Sequence, residues 1–266
     1  MVKEADFTIE AYTPAEIAKR VDNAVYTKSQ MPFLRLTMLA ILAGSFIAFG
    51  ALTYTLVVTD SSTLGYGPTR LLGGIGFSVG LILVIIGGAE LFTGNALMVM
   101  AIMDQKITST VLIRNWVIVY IGNFVGAIII AIFVVLSGVL DNPPVSQTAL
   151  SIAQDKLTLS ASQAIFRGIL CNILVCLAVW MSFAARRVSG KVLVIIFPVA
   201  VFVCIGFEHS IANMYVIPVA MIAGYLPVDI SAFLFNLFFV TIGTILGGAV
   251  FVALVYWLIY IYPVKQ

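Results

Sequence analysis

An all-α protein built into a membrane is the fold class this chain predicts, and three observations predict it. Of its 266 residues 62% are hydrophobic and 10% are charged. The mean hydropathy is +1.13. Six apolar runs are each long enough to cross a bilayer. A soluble domain of this size would need far more Lys, Arg, Asp and Glu to cover its surface, so a soluble fold is set aside.

The runs fall at 34–58, 71–103, 111–140, 166–185, 191–222 and 231–262. Short polar stretches separate them: TDSSTLGYGPTR near residue 65, MDQKITS near 105, DNPPVSQ near 143 and ARRVSGK near 188. None can hold a soluble domain, so residues 1–266 are read as one membrane domain. Within it, 1–33 form an N-terminal segment, 34–140 a first repeat and 160–263 a second.

Ahead of the first run, residues 14–30 predict a short amphipathic helix. Thr13 is its N-cap, Pro14 follows, Glu16 lies in the first turn, and Ile17, Val21 and Val25 recur at four-residue spacing. Glu4, Asp6, Glu10 and Glu16 precede any apolar residue run, unlike the basic and then hydrophobic layout of a signal peptide.

Six spans place both termini on one side, with the loops near 105 and 188. Lys3, Lys19, Arg20, Lys28, Arg35, Lys106, Arg114, Arg186, Arg187, Lys191 and Lys265 lie on that side. Only Arg70, Lys156 and Arg167 lie on the other. The imbalance predicts cytoplasmic termini. For most of these charges topology and solubility are sufficient explanation.

As one helix, 71–103 would reach about 50 Å against a hydrocarbon core of ~30 Å. A break is expected at GGAELFTGN, residues 87–95, where glycines, Glu90, Thr93 and Asn95 crowd together. GFEHSIANM, from residue 206, is a second such cluster in the fifth run. Matching phrases follow each, YIGNFVGA at 120–127 and TIGTILGGA at 241–249. Three spans per half is an odd number, so the copies are inverted, with the second and fifth helices broken. Hydrocarbon does not tolerate freed backbone groups, so both breaks must be buried in protein or line one polar path. Gly122, Gly126, Gly243, Gly247 and Gly248 are expected to admit close helix approach.

Ionisable groups inside a membrane usually face a cavity or a partner. Glu90 and Glu208 are expected mainly to hold the freed backbone or loops of the broken helices. His209, the sole histidine, is different in kind. Its ordinary pKa lies near 6.5; burial favours the neutral ring and a nearby anion favours the charged one, so it can donate a hydrogen bond or a proton. Thr93 offers a hydroxyl to the same solute, and helix N-termini at the breaks add positive potential. The sequence places no buried Lys or Arg near the breaks that would trap an anion.

Other chemistries find less support. Cys171, Cys176 and Cys204 sit in apolar stretches without metal-ligand or CxxC spacing, so no metal and no cofactor is expected. An intramembrane hydrolase would need a nucleophile beside His209, but Ser210 is its chain neighbour on helical backbone and no GxSxG surrounds it. A neutral-solute channel lacks paired NPA phrases, and nucleic acid finds no basic patch.

GGIGFSVGLILVIIGGAELFTGN at 73–95, CNILVCLAVWMS at 171–182, GFEHSIANMYVIP at 206–218 and TIGTILGGAVF at 241–251 resemble the formate/nitrite transporter family. The similarity runs from the amphipathic segment to YWLIY at 256–260. It implies an aquaporin-like outline, a homopentamer in the cell inner membrane and one pore per protomer. The solutes implied are formate, nitrite or hydrosulfide, with protons as possible co-travellers. Carried over residue by residue, the central histidine is His209 and its partner hydroxyl Thr93. Phe77, Leu81, Leu91 and Phe202 form apolar constrictions. Lys156 attracts anions to a vestibule, and Asn172 and Glu208 orient or polarise the centre. Thr244 stands where the family often carries an asparagine reaching toward the histidine, and Gly94 follows Thr93 where some formate channels carry serine. Passage is read as either passive or proton-coupled. Burying an unpaired carboxylate in an apolar slit is costly, so His209 can lend a proton to let a neutral acid cross. The sequence leaves the order of protonation and passage open.

Overall fold

Residues 11–60 and 64–262 are described in the computed structural model; Lys3, Glu4, Asp6, Glu10 and Lys265 lie outside them. The described chain folds as helices in this order: α1 (Pro14–Ser29), α2 (Phe33–Val58), α3 (Tyr66–Gly87), α4 (Gly94–Met103), α5 (Ser109–Leu136), α6 (Pro143–Leu157), α7 (Ala161–Ala184), α8 (Val188–Ile205), α9 (Ser210–Ile222) and α10 (Ile230–Tyr260). Six of them, α2, α3, α5, α7, α8 and α10, are long and apolar enough to span a membrane. Large apolar side chains such as Phe133, Leu136, Phe197 and Phe238 are more than half exposed, which suits lipid and not water.

The chain reads as one five-helix unit used twice. In the first, α2 packs on α3 and α5; in the second, α7 packs on α8 and α10. The units meet where α3 crosses α8 and where α5 lies against α9. Glycines set the spacing. A Cβ on Gly126 would overlap the Ile41 carbonyl and one on Gly243 the Ile165 carbonyl, so α2–α5 and α7–α10 touch backbone to backbone.

Both expected breaks are present, and they share a design. α3 ends at Gly88 (φ 81°) and α8 at Gly206 (φ 87°), left-handed positions that glycine alone adopts without strain. Past each glycine the next amide turns back onto its own helix, Ala89 N–H to the Val84 carbonyl and Phe207 N–H to the Phe202 carbonyl. The following glutamate amide then crosses to a neighbouring span. Glu90 N–H donates to the Leu39 carbonyl of α2 at 3.1 Å, and Glu208 N–H to the Arg167 carbonyl of α7 at 3.4 Å.

α1 carries the expected capping box between Thr13 and Glu16 and buries Ile17, Val21 and Val25. An ion pair of Asp22 with Lys106 ties it to the loop after α4. Burial pushes the Asp22 carboxyl above the usual carboxylate range, a rise that Lys106 opposes.

Its counterpart α6 differs from the sequence reading, which treated DNPPVSQ only as a polar separator. Pro143 and Pro144 occupy the first helical turn, where their missing N–H groups cost nothing. Val145, Ala149 and Ala153 then recur at helical spacing and are buried. α3 also starts earlier than residue 71, at Tyr66, because Gly65 (φ 76°) turns the chain into it.

Candidate functional site

At the centre the two breaks face each other. α4 begins at Gly94, just after Thr93, and α9 begins at Ser210, just after His209. Two half-helix N-termini therefore deliver their positive ends to one place. The Thr93 hydroxyl lies 3.5 Å from His209 Nε2, the outer limit of a direct hydrogen bond. Both groups keep capacity for a shared small acceptor. Thr93 is 1% and His209 4% exposed.

The ring's other nitrogen is occupied. His209 Nδ1 accepts the Ala212 amide at 3.1 Å and so caps α9. A neutral ring with its Nδ1 lone pair in use carries its proton on Nε2, facing Thr93. Protonating Nδ1 would set a proton against the Ala212 N–H and break the cap.

Aromatic rings shape the approach. Phe202 stacks on His209 with centroids 6.0 Å apart, and Phe77 meets the imidazole at 6.3 Å and Phe202 at 5.8 Å, both edge-on. A cavity of about 160 Å³ opens from this group toward the side opposite the termini; Arg70, Asp155, Lys156, Arg167 and Glu208 are among its lining residues. Leu81 follows Phe77 on α3 and Leu91 lies in the first break, both 3% exposed in the same core cluster.

Two polar clusters brace the breaks, related by the repeat. Glu90 pairs with Lys28 of α1 at 3.2 Å and accepts Asn95 Nδ2 at 3.0 Å; Asn95 also donates to Asn115 Oδ1 at 3.0 Å. Glu208 pairs with Lys156 of α6 at 3.0 Å and accepts Asn213 Nδ2 at 2.7 Å; Asn213 also donates to Asn236 Oδ1 at 2.8 Å. Each glutamate thus ties its break to a lysine and an asparagine side chain rather than to the freed backbone N–H groups. Lysines do come near the breaks, because α1 and α6 each fold one back onto the break of their own repeat, but Glu90 and Glu208 hold their ammonium groups. Lys156 does line the vestibule, but its ammonium is bound by Glu208.

Asn172 stitches the centre through backbone. Its Nδ2 donates to the carbonyls of Thr93 at 3.2 Å and Thr244 at 2.7 Å. Thr244 does not reach the histidine; its hydroxyl donates to Ser210 at 3.3 Å. Gly248, in the π-wound Leu246–Leu254 part of α10, makes room for this arrangement. A Cβ there would lie 2.5 Å from Asn172 Nδ2 and from Ala96 Cβ, and 2.8 Å from Cys176 Sγ. Gly248→Ala is therefore expected to lower stability by about 1–3 kcal/mol, the usual range for an overpacked core. Thermal unfolding of the detergent-solubilised oligomer measures it.

Comparison with known proteins gives this geometry its place. The model of a family described as formate/nitrite transporter matches residues 15–258. The chain belongs to the formate/nitrite transporter family. Among its relatives, the formate channel FocA of Haemophilus influenzae is 40% identical, covering 90% of this chain and 92% of that protein. FocA of Escherichia coli K12 is 39% identical, covering 97% and 98%. A solved pentameric formate channel with formate bound is 42% identical, with a TM-score of 0.80 over 86% of this chain and 97% of that one. An ion channel of the same transporter family is 26% identical with a TM-score of 0.84.

Several site residues of this family member escape a reading by type alone. Lys28, Asn115, Asn123 and Asn236 each hold a break. Asn123 accepts the Phe92 amide at 3.0 Å while donating to the carbonyls of Ala40 and Glu90. An asparagine inside a run of branched apolar residues was the available signal, since a buried amide requires partners. Arg70 is another: Nε donates to the Cys204 carbonyl at 2.8 Å and Nη2 to the Val203 carbonyl at 3.2 Å, capping the end of α8.

Proposed function

We propose that this protein conducts small monovalent anions of weak acids, formate foremost, through a pore in each protomer of a homopentamer. It would lie in the cell inner membrane with both termini in the cytoplasm. The formate channels and the pentameric structure among its relatives support the substrate and the assembly; the excess of basic residues on the side of the termini supports the orientation.

The observation that carries the reading is the convergence of Thr93, His209 Nε2 and two half-helix N-termini behind Phe77 and Phe202. An unpaired carboxylate in an apolar slit is costly, and donors held in place reduce that cost. Phe77, Phe202, Leu81 and Leu91 strip and sieve the anion; Thr93 and His209 replace part of its hydration. Asn172 fixes Thr93 by its carbonyl, and Glu208 with Lys156 fixes the second break. In this reading His209 acts as a neutral ring donating from Nε2. Lending a whole proton requires prior protonation of Nδ1, and so release of the α9 cap.

Purified protein in liposomes, with external formate, nitrite, hydrosulfide or glycerol, tests the reading. Saturable formate uptake that nitrite and hydrosulfide compete against, with glycerol excluded, is the expected result. Nitrite or hydrosulfide passing far faster than formate would reassign the substrate within the family. Glycerol passage alone would make it a neutral-solute channel and end the proposal.

A further inference from the structure

The two repeats match closely at the conduit's breaks but differ at one charged position. Lys28 and Lys156 correspond, as do Glu90 and Glu208, and within each pair of partners the charges cancel. Correspondence extends to the span that receives the glutamate amide. Leu39 and Arg167 supply the accepting carbonyls, and each lies the same distance along the chain beyond its lysine. One repeat therefore puts leucine where the other puts arginine.

Arg167 lines the cavity above Phe77 and Phe202. Among the described residues no hydrogen bond or ion pair engages its guanidinium. The other two cations of that cavity are committed, Arg70 to the end of α8 and Lys156 to Glu208. Asp155, also lining the cavity, has no side-chain hydrogen bond or ion pair among the described residues and opposes Arg167 in sign.

From this arrangement we infer that Arg167, and not Lys156, is the residue that collects anions at the vestibule opposite the termini, with Asp155 setting its strength. An unpaired guanidinium at the mouth of a low-dielectric funnel raises the local concentration of small anions. A charge already bound by a buried carboxylate does so weakly. The site takes small carboxylates and other compact monovalent anions without selecting among them, because discrimination needs the narrower group at His209.

The inference rests on the anion-conduit reading and is tested apart from it. Initial formate uptake into liposomes is measured against formate concentration, at low ionic strength and with added impermeant salt. Wild-type protein, Arg167→Gln, Arg167→Lys and Asp155→Asn are compared. Arg167→Gln is expected to raise the half-saturating concentration about ten-fold, the low end of what a charged cleft contributes. The maximal rate should stay within about two-fold and the salt dependence should shrink. Arg167→Lys should restore most of the loss, and Asp155→Asn should shift half-saturation the opposite way. Unchanged half-saturation in Arg167→Gln at low ionic strength, or no rescue by lysine, overturns the assignment. Should Arg167→Gln not assemble, the direction of the Asp155→Asn shift decides it. Wild-type protein that passes no formate would instead overturn the transport reading.

Discussion

Replacing His209 with asparagine is expected to leave the protein folded and pentameric while cutting formate flux by roughly 10- to 100-fold. The reason is that the ring performs two jobs with two nitrogens. Nδ1 caps α9 through the Ala212 amide, a role asparagine fills well at an N-cap. Nε2 faces Thr93 and the solute, and asparagine is too short to reach there. A hydrogen bond to a charged group contributes about 1.5–3 kcal/mol, which sets the size of the loss. His209→Ala removes both functions and should also destabilise by about 0.5–2 kcal/mol through the lost cap. The pair of variants, measured by liposome flux and by thermal unfolding, separates the jobs. Equal flux in wild type and His209→Asn would return the histidine to a capping residue.

The second large effect lies at the buried ion pair. Lys156→Met leaves the Glu208 carboxylate 5% exposed, with Asn213 as its remaining partner. Stranding a buried charge in this way costs about 3–5 kcal/mol. Lys156→Met combined with Glu208→Gln should recover most of that, since the second change removes the stranded charge. The matching change at the other end, Lys28→Met, should cost less, because the Lys28 side chain is 30% exposed against 15% for Lys156 and solvent screens its pair. Thermal unfolding of the four proteins checks the order. A Lys28→Met loss as large as that of Lys156→Met would contradict it.

The legible parts of this fold are those that lipid makes obligatory. A span must be long, apolar and unbroken unless protein shelters the break, so GGAELFTGN and GFEHSIANM announce themselves against their surroundings. His209 and Thr93 follow, because they are among the few polar groups at those breaks. Less legible was α6, whose leading Pro143 and Pro144 and interspersed polar residues read as a separator, and whose buried face is only Val145, Ala149 and Ala153. The pairing of two lysines with the glutamates of the breaks was hidden for a related reason. Lys28 and Lys156 lie outside the apolar runs, and only the packing of α1 and α6 beneath the breaks carries them in. Thr244 was legible as a departure from the family phrase, but its partner, Ser210, depended on the π-wound path of α10 and on which way each helix turns.

The backbone of the first break has an implication for how the chain is made. Phe92 N–H and the carbonyls of Glu90 and Asn95 are satisfied by Asn123 and Trp116, both on α5, a helix synthesised after the break. At the second break, by contrast, the amide of Glu208 and the carbonyls of Val203 and Cys204 find Arg167 and Arg70, already made when α8 emerges. In hydrocarbon each unsatisfied backbone group costs several kcal/mol. Three backbone groups of the first break therefore lack their native partners until α5 is made, whereas those named at the second break have theirs already.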